Sequence, residues 1–342
     1  MANTHNRKRH PVRRLLDLAA VILLLWVIYK GASTRVIPSA MRADDSCTAD
    51  PTTTADMTPF DPDAAPIPCR PWDVGTGVTG YVWPAASPRA ALLLTHGYGD
   101  YAQRSVQQNN QLIPHLLNLG VSVYAFDMWG SGRSPGPRGA TDGDQAVRDN
   151  LAARQIMAET GLPVFLLGHS YGGLITATST LRDQSDLSGV ILLAPDLLYD
   201  VGPFWHGVAQ IGGFLWPTLN PSLGLADDTE MTRDWDALQR MRQDPLMHLG
   251  SKHFVALGDF ARISHQNWAL YPQLRVPALV IHGDSDGLAK LKGSRNFIAT
   301  IASEDKTLAV IDGGHHYLLD DLAKDEVREL ILMWLEERLP EP

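Results

Sequence analysis

Near Thr79 the pattern of hydrophobic and polar positions changes character. From there to the C-terminus, short apolar runs alternate with longer stretches of helical spacing. The runs are Ala90–Thr95, Val121–Phe126, Val164–Leu167, Gly189–Leu193, Ala278–Ile281 and Thr307–Ile311. Runs this short, apolar without alternation, predict strands buried on both faces. Strands separated by helices predict a mostly parallel central sheet, flanked by helices and wound with right-handed crossovers. The alternation fails between Asp196 and Arg275, a stretch too long for a loop, which predicts an inserted helical cap. The resulting division is a core over 72–195 and 276–342, with a cap over 196–275.

Within the cap, Phe204, Trp205, Val208, Ile211, Phe214, Leu215 and Trp216 recur at spacings of three and four. This predicts an amphipathic helix. Either it packs its stripe on the core, or it presents an apolar rim to an acyl chain or to lipid. In the second case Phe204, Trp205, Phe214 and Trp216 are the candidate substrate-pocket residues.

Upstream of Thr79 the pattern is different. Residues 31–71 are rich in Pro, Thr, Ala and Asp and have no period, the mark of a linker. Residues 1–30 combine a basic tip (Arg7, Lys8, Arg9, Arg13, Arg14) with an apolar run from Leu15 to Tyr29, broken only by Asp17. As a helix that run would span roughly 22 Å. It reads as an uncleaved signal anchor, with a cleaved signal peptide as the alternative. Both place the bulk of the chain outside the cytoplasm, periplasmic or extracellular, and the first tethers it to a membrane. The two cysteines, Cys47 and Cys69, lie between this segment and the first core strand, where an oxidising compartment would allow one disulfide.

Composition narrows the function. At 44% hydrophobic and 20% charged residues the chain has the makeup of a folded globule, and a net charge of −9 argues against nucleic acid as partner. No Cys/His spacing resembles a metal site.

The candidate chemistry sits at the C-terminal ends of the apolar runs, where open α/β sheets carry their sites. Gly168-His169-Ser170-Tyr171-Gly172, followed by Gly173, stands between a predicted strand and a predicted helix, the context in which G-x-S-x-G forms a nucleophile elbow. Side chains at Gly168 or Gly172 would collide with neighbouring chain in so tight a turn, and the turn lifts the Ser170 hydroxyl clear of the sheet. This is the sequence signature of a serine hydrolase of the α/β-hydrolase class. A serine hydroxyl needs a base, and Gly313-Gly314-His315-His316 after the last run offers two histidines. The base in turn needs an acid to orient it: Asp284 and Asp286 follow one strand end, and Asp196 follows another. Asp127 precedes the serine and reads as a structural support of the turn over 130–134. The oxyanion hole would use the N–H of Tyr171 and that of Tyr98, in the loop after the first run.

Taken in order, these motifs resemble the monoacylglycerol lipase and bacterial lysophospholipase group, also called the serine aminopeptidase S33 type. The resemblance covers about residues 78–335. It rests on His96-Gly97-Tyr98-Gly99-Asp100, on the 126–139 loop, on the elbow, and on Leu193-Ala194-Pro195, Asp244-Pro245-Leu246, His282-Gly283-Asp284-Ser285-Asp286 and the Gly-Gly-His-His turn. It implies Asp286 as the acid and His316 as the base. It also implies a lipid-derived carboxylic ester as substrate, with no metal or cofactor. The chain departs from the family pattern at Ser131, where histidine is common, and at Asp100-Tyr101, where Glu-His is common. A peptidase or amidase using the same residues is the alternative activity, with Asp227, Asp228 or Glu230 as candidate ligands for a free amino terminus. A non-catalytic membrane-tethered scaffold is the third reading.

Overall fold

The computed structural model describes residues 69–198, 202–221 and 228–341. The basic N-terminus, the apolar segment, most of the linker and Cys47 lie outside the described residues. Cys69 is disulfide-bonded.

Among the described residues eight strands form one sheet: β1 (Arg70–Asp73), β2 (Thr79–Trp83), β3 (Ala90–Thr95), β4 (Val121–Phe126), β5 (Val164–His169), β6 (Leu187–Leu193), β7 (Ala278–Gly283) and β8 (Lys306–Ile311). Their order is β1-β2-β4-β3-β5-β6-β7-β8. β1 and β2 pair antiparallel, and β2 pairs antiparallel with β4. All later pairs are parallel. The six apolar runs are thus the six strands of the parallel part. The pattern did not reveal β1 or β2: Arg70–Asp73 is mostly exposed and carries no apolar run, and Thr79–Trp83 mixes polar and apolar positions.

The helices are α1 (Arg104–Gln107), α2 (Leu112–Asn118), α3 (Gly143–Ala158), α4 (Tyr171–Arg182), α5 (Pro203–Leu215), α6 (Trp235–Gln243), α7 (Phe254–Trp268), α8 (Leu291–Thr300) and α9 (Lys324–Glu336). They cover both faces of the sheet. Alternate strand residues point to opposite sides. Leu92, Leu94, Phe165, Leu167 and Ile191 accordingly join Ile113 of α2 and Ile331 and Trp334 of α9 in one core. Leu93, Leu166, Val190, Leu192 and Val280 join Val147 of α3, Leu174 and Ile175 of α4 and Phe297 of α8 in the other. Each fully buried aliphatic side chain of this kind contributes about 1.5–3 kcal/mol.

The stretch 196–275 holds α5, α6 and α7. The last of these is built into the second core layer: Phe260 and Ile263 belong to that cluster, Asn267 donates to the Thr178 hydroxyl (2.8 Å) and Arg262 pairs with Asp144 (2.6 Å). α5 lies on α7 through small residues. A Cβ added at Gly212 would meet the Phe254 ring at 2.4 Å, and one at Gly258 would meet the Ala209 carbonyl at 2.9 Å.

Candidate active site

The turn from β5 into α4 holds Ser170 at φ 54°, ψ −119°, a backbone conformation that costs a non-glycine residue of order 1–3 kcal/mol. Neighbouring chain enforces it. The Ser170 N–H donates to the Leu193 carbonyl (2.9 Å), and the Ser170 carbonyl accepts from Leu174 (3.2 Å) and Asp196 (3.0 Å). The flanking glycines are obligatory for space. A Cβ at Gly168 would fall 2.5 Å from the Gly172 carbonyl oxygen, and one at Gly172 would fall 2.2 Å from that of His96.

The Ser170 hydroxyl lies 2.7 Å from Nε2 of His316, and Nδ1 of His316 lies 2.8 Å from Oδ2 of Asp286. A carboxylate only accepts, so Nδ1 carries the proton and Nε2 is free to accept from the serine. Of the two histidines left open by the Gly-Gly-His-His turn, the structure brings His316 to the serine. Of the three carboxylates, it brings Asp286. Asp284 accepts from the Gly313 N–H (2.8 Å) and ties the two loops together, while Asp196 is paired with Lys252 (3.2 Å). Asp127 supports the following turn as expected, accepting from the N–H groups of Ala102 (2.8 Å) and Arg133 (2.7 Å) and from the Tyr81 hydroxyl (2.9 Å).

Asp286 is closed off from solvent, and Oδ1 accepts the N–H groups of Leu288 and Ala289, both at 2.8 Å. Burial by itself would raise this carboxyl. The charge and hydrogen bonds of His316 and His282 outweigh burial and hold it well below the ordinary carboxylate range. In the sequence His282 figures only as part of the 282–286 pattern. Its fully buried Nε2 lies 3.3 Å from Asp286 Oδ2 and 3.1 Å from the Ala289 carbonyl, while Nδ1 meets the Ser294 hydroxyl at 2.7 Å. Its position at a strand end two residues before an aspartate was the available signal. His169 turns away from Ser170 and donates to the His316 carbonyl (3.2 Å); burial and the neighbouring His316 push its imidazole down to about 3.

Tyr171 opens α4, so its N–H is among the helix's unpaired first donors. Among the described residues no hydrogen bond uses the N–H of Tyr98 or of Tyr171. The loop carrying Tyr98 is pressed on the elbow: a Cβ at Gly97 would lie 2.8 Å from His169 Nδ1 and 3.4 Å from Ser170 Cβ. Gly97, the residue before Tyr98, therefore borders the serine, and Tyr171 follows it in the chain.

The candidate pocket residues lie on the outer face of α5. Phe204, Trp205, Phe214 and Trp216 are exposed, Phe214 to 86%, because α5 turns Ala209 and Gly212 inward instead. A cleft of about 420 Å³ runs beneath α5, lined by Leu198, Pro203, His206, Ala261, His265 and Trp268. Among the departures from the family pattern, Ser131 is buried, Asp100 pairs with Arg104 (3.0 Å) and the Tyr101 hydroxyl donates to Asp244 (2.7 Å).

The chain matches the family model described as serine aminopeptidase, S33, over residues 86–323. It belongs to that family. It is 31% identical over 267 residues to a monoglyceride lipase of Homo sapiens, covering 75% of this chain and 86% of the human protein. It is 30% identical over 271 residues to a monoacylglycerol lipase of Mycolicibacterium smegmatis, covering 78% and 95%. The crystal structure of Paleococcus ferrophilus monoacylglycerol lipase superposes with a TM-score of 0.67 at 28% identity, over 76% of this chain and 99% of that one. The S33 family member described here has the α/β-hydrolase fold.

Proposed function

We propose that the protein is a serine hydrolase that cleaves carboxylic esters of the monoacylglycerol or lysophospholipid type through an acyl-enzyme on Ser170. The observation that carries this reading is the unbroken chain Ser170 Oγ, His316, Asp286, with contacts of 2.7 and 2.8 Å, on a strained elbow. His316 takes the serine proton as the hydroxyl attacks the ester carbonyl. The Tyr98 and Tyr171 N–H groups receive the oxyanion, each such donor being worth about 3 kcal/mol in the transition state. His316 then protonates the leaving alcohol and later activates water to release the acid. The carboxylate of Asp286 stays ionised throughout and stabilises the imidazolium that forms.

The lipid preference draws on two supports: relatives named for monoacylglycerol hydrolysis and the apolar outer face of α5. With the basic and apolar N-terminal segment, that face favours work at a lipid surface with the catalytic domain outside the cytoplasm. The amidase reading has less behind it, since Asp228 is engaged by Arg242 at 2.7 Å. The test is a panel of acyl esters from acetyl to palmitoyl on glycerol and lysophosphatidylcholine heads, beside aminoacyl anilides, with fluorophosphonate labelling of wild type and Ser170→Ala. Long-chain esters should lead and labelling should vanish in the variant. Rates flat across chain length, or faster anilide cleavage, would overturn the lipid-ester assignment.

A further inference from the structure

The loop that carries the first oxyanion donor is held from outside the core by the side chain of the donor residue itself. The Tyr98 hydroxyl donates to the Gly139 carbonyl (2.7 Å) and accepts from the His253 N–H (3.1 Å). It also lies 3.3 Å from the Ser251 carbonyl and 3.2 Å from His253 Nδ1. One residue on, the Gly99 carbonyl accepts from the His248 N–H (2.7 Å). Gly99 sits at φ +74°, and a Cβ there would stand 2.1 Å from the His248 carbonyl oxygen. One residue before, Gly97 is wedged against His169 and Ser170. The free N–H of Tyr98 is thus suspended between the elbow on one side and segment 248–253 on the other. The same segment reaches the elbow a second time, because Lys252 pairs with Asp196 (3.2 Å), whose N–H donates to the Ser170 carbonyl (3.0 Å).

We propose that Tyr98 is a positioning residue: its hydroxyl fastens loop 96–99 to segment 248–253 and to Gly139, and so fixes its own backbone N–H where the oxyanion develops. This rests on the reading of Ser170 as nucleophile and Tyr98 N–H as donor. The loop is fixed on either side of the donor residue, by the Met128 N–H donating to His96 Nε2 (3.0 Å) and the His248 N–H donating to the Gly99 carbonyl (2.7 Å), and the phenol ties down the residue between them. A donor displaced by a fraction of an ångström loses strength where charge develops, and misplacement by about 1 Å costs on the order of 100-fold in rate. A phenol with two separate anchor points sets the loop position from side-chain bonds, which glycine-flanked backbone alone does not. Burial keeps that phenol protonated far above neutral pH, so its donor role persists across the working range.

The experiment compares Tyr98→Phe with wild type on a soluble short-chain ester and against a trifluoromethyl ketone, which forms a tetrahedral oxyanion on the serine. The expected result is a fall in kcat of about 10- to 100-fold with KM within threefold, and a loss of ketone affinity by the same factor. Fluorophosphonate labelling of Ser170 still going to completion shows that the nucleophile reading stands independently. A kcat within twofold of wild type, or a kcat loss without matching ketone loss, overturns the proposal. Should Tyr98→Phe fail to fold, His253→Pro serves instead. Residue 253 has φ −66°, which proline adopts, and the change deletes the N–H that donates to the phenol. It should lower kcat and ketone affinity together by several-fold, and unchanged values would overturn the proposal equally.

Discussion

α4 and α5 are both apolar, glycine-bearing helices, one starting at the nucleophile and the other lying on α7, and the molecule treats them in opposite ways. In α4, ten of twelve residues are buried, from Tyr171 to Thr180. In α5, only Ala209 and Gly212 of thirteen are buried, and Phe204, Trp205, Ile211, Phe214 and Leu215 face outward. The glycines differ in the same way. Those at the start of α4 let backbone cross backbone at the elbow, whereas Gly212 in α5 admits one phenylalanine ring. Apolarity therefore signals burial only where a sheet lies on one side and a second layer on the other. A helix that rests on one neighbouring helix only through small residues keeps its stripe for something outside the fold.

The strongest way to break this contrast is at the head of α4. Ser170→Ala should lower ester hydrolysis by more than about 10⁴-fold while leaving the circular dichroism spectrum and Tm unchanged. Residual turnover within tenfold of wild type would mean that the elbow is architecture without chemistry. Gly172→Ala places a Cβ on an immovable carbonyl oxygen and should destabilise by at least about 3 kcal/mol or yield no soluble protein. Denaturant melts within 1 kcal/mol of wild type would refute the crowding at this turn.

A smaller effect concerns pH and the residue just before the elbow. The His169 imidazole titrates near 3 when folded, against 6.5 ordinarily. Its penalty is absent above pH 6.5 and grows as pH falls, because the unfolded chain binds a proton that the folded one refuses. Wild type should therefore lose up to about 2 kcal/mol more stability than His169→Gln between pH 7.5 and pH 5. Parallel stability curves for the two proteins over that range would sink the assignment.

On α5 the effects should be smaller still and selective. Trp205→Ser with Phe214→Ser should cut the rate on vesicle-borne long-chain monoacylglycerol by about 5- to 10-fold, yet leave a dissolved butyrate ester unaffected. Equal losses on both substrates would make the face a structural one. Gly207, where a Cβ meets nothing within 4 Å, is the mildest probe: Gly207→Ala should stabilise the protein by about 0.5–1 kcal/mol in thermal melts.

Much of the fold and site was legible along the chain. The apolar runs located the six parallel-region strands, and the glycine spacing around Ser170 required a bent strand–helix junction, because only that turn needs residues without side chains at both 168 and 172. β1 and β2 escaped notice, because strands on the antiparallel side of the sheet need no unbroken apolar run. His282 escaped as well: its spacing to Asp286 is a weak signal until the loop after β7 folds that carboxylate back against the ring. The orientation of α5 was open for a related reason. Its stripe was plain, but whether that stripe faced in or out depended on Phe254 and Gly258 of a helix some forty residues later.

The sequence by itself determined the sheet, the elbow and a short set of candidate partners, since periodicity and obligatory glycines are local constraints. Local pattern could not choose His316 over His315 or Asp286 over Asp284 and Asp196; the family resemblance pointed to His316 and Asp286, and the tertiary structure brought those two to the serine. That choice depends on distances between loops far apart in the chain, and a hydrogen bond is made or lost over about an ångström.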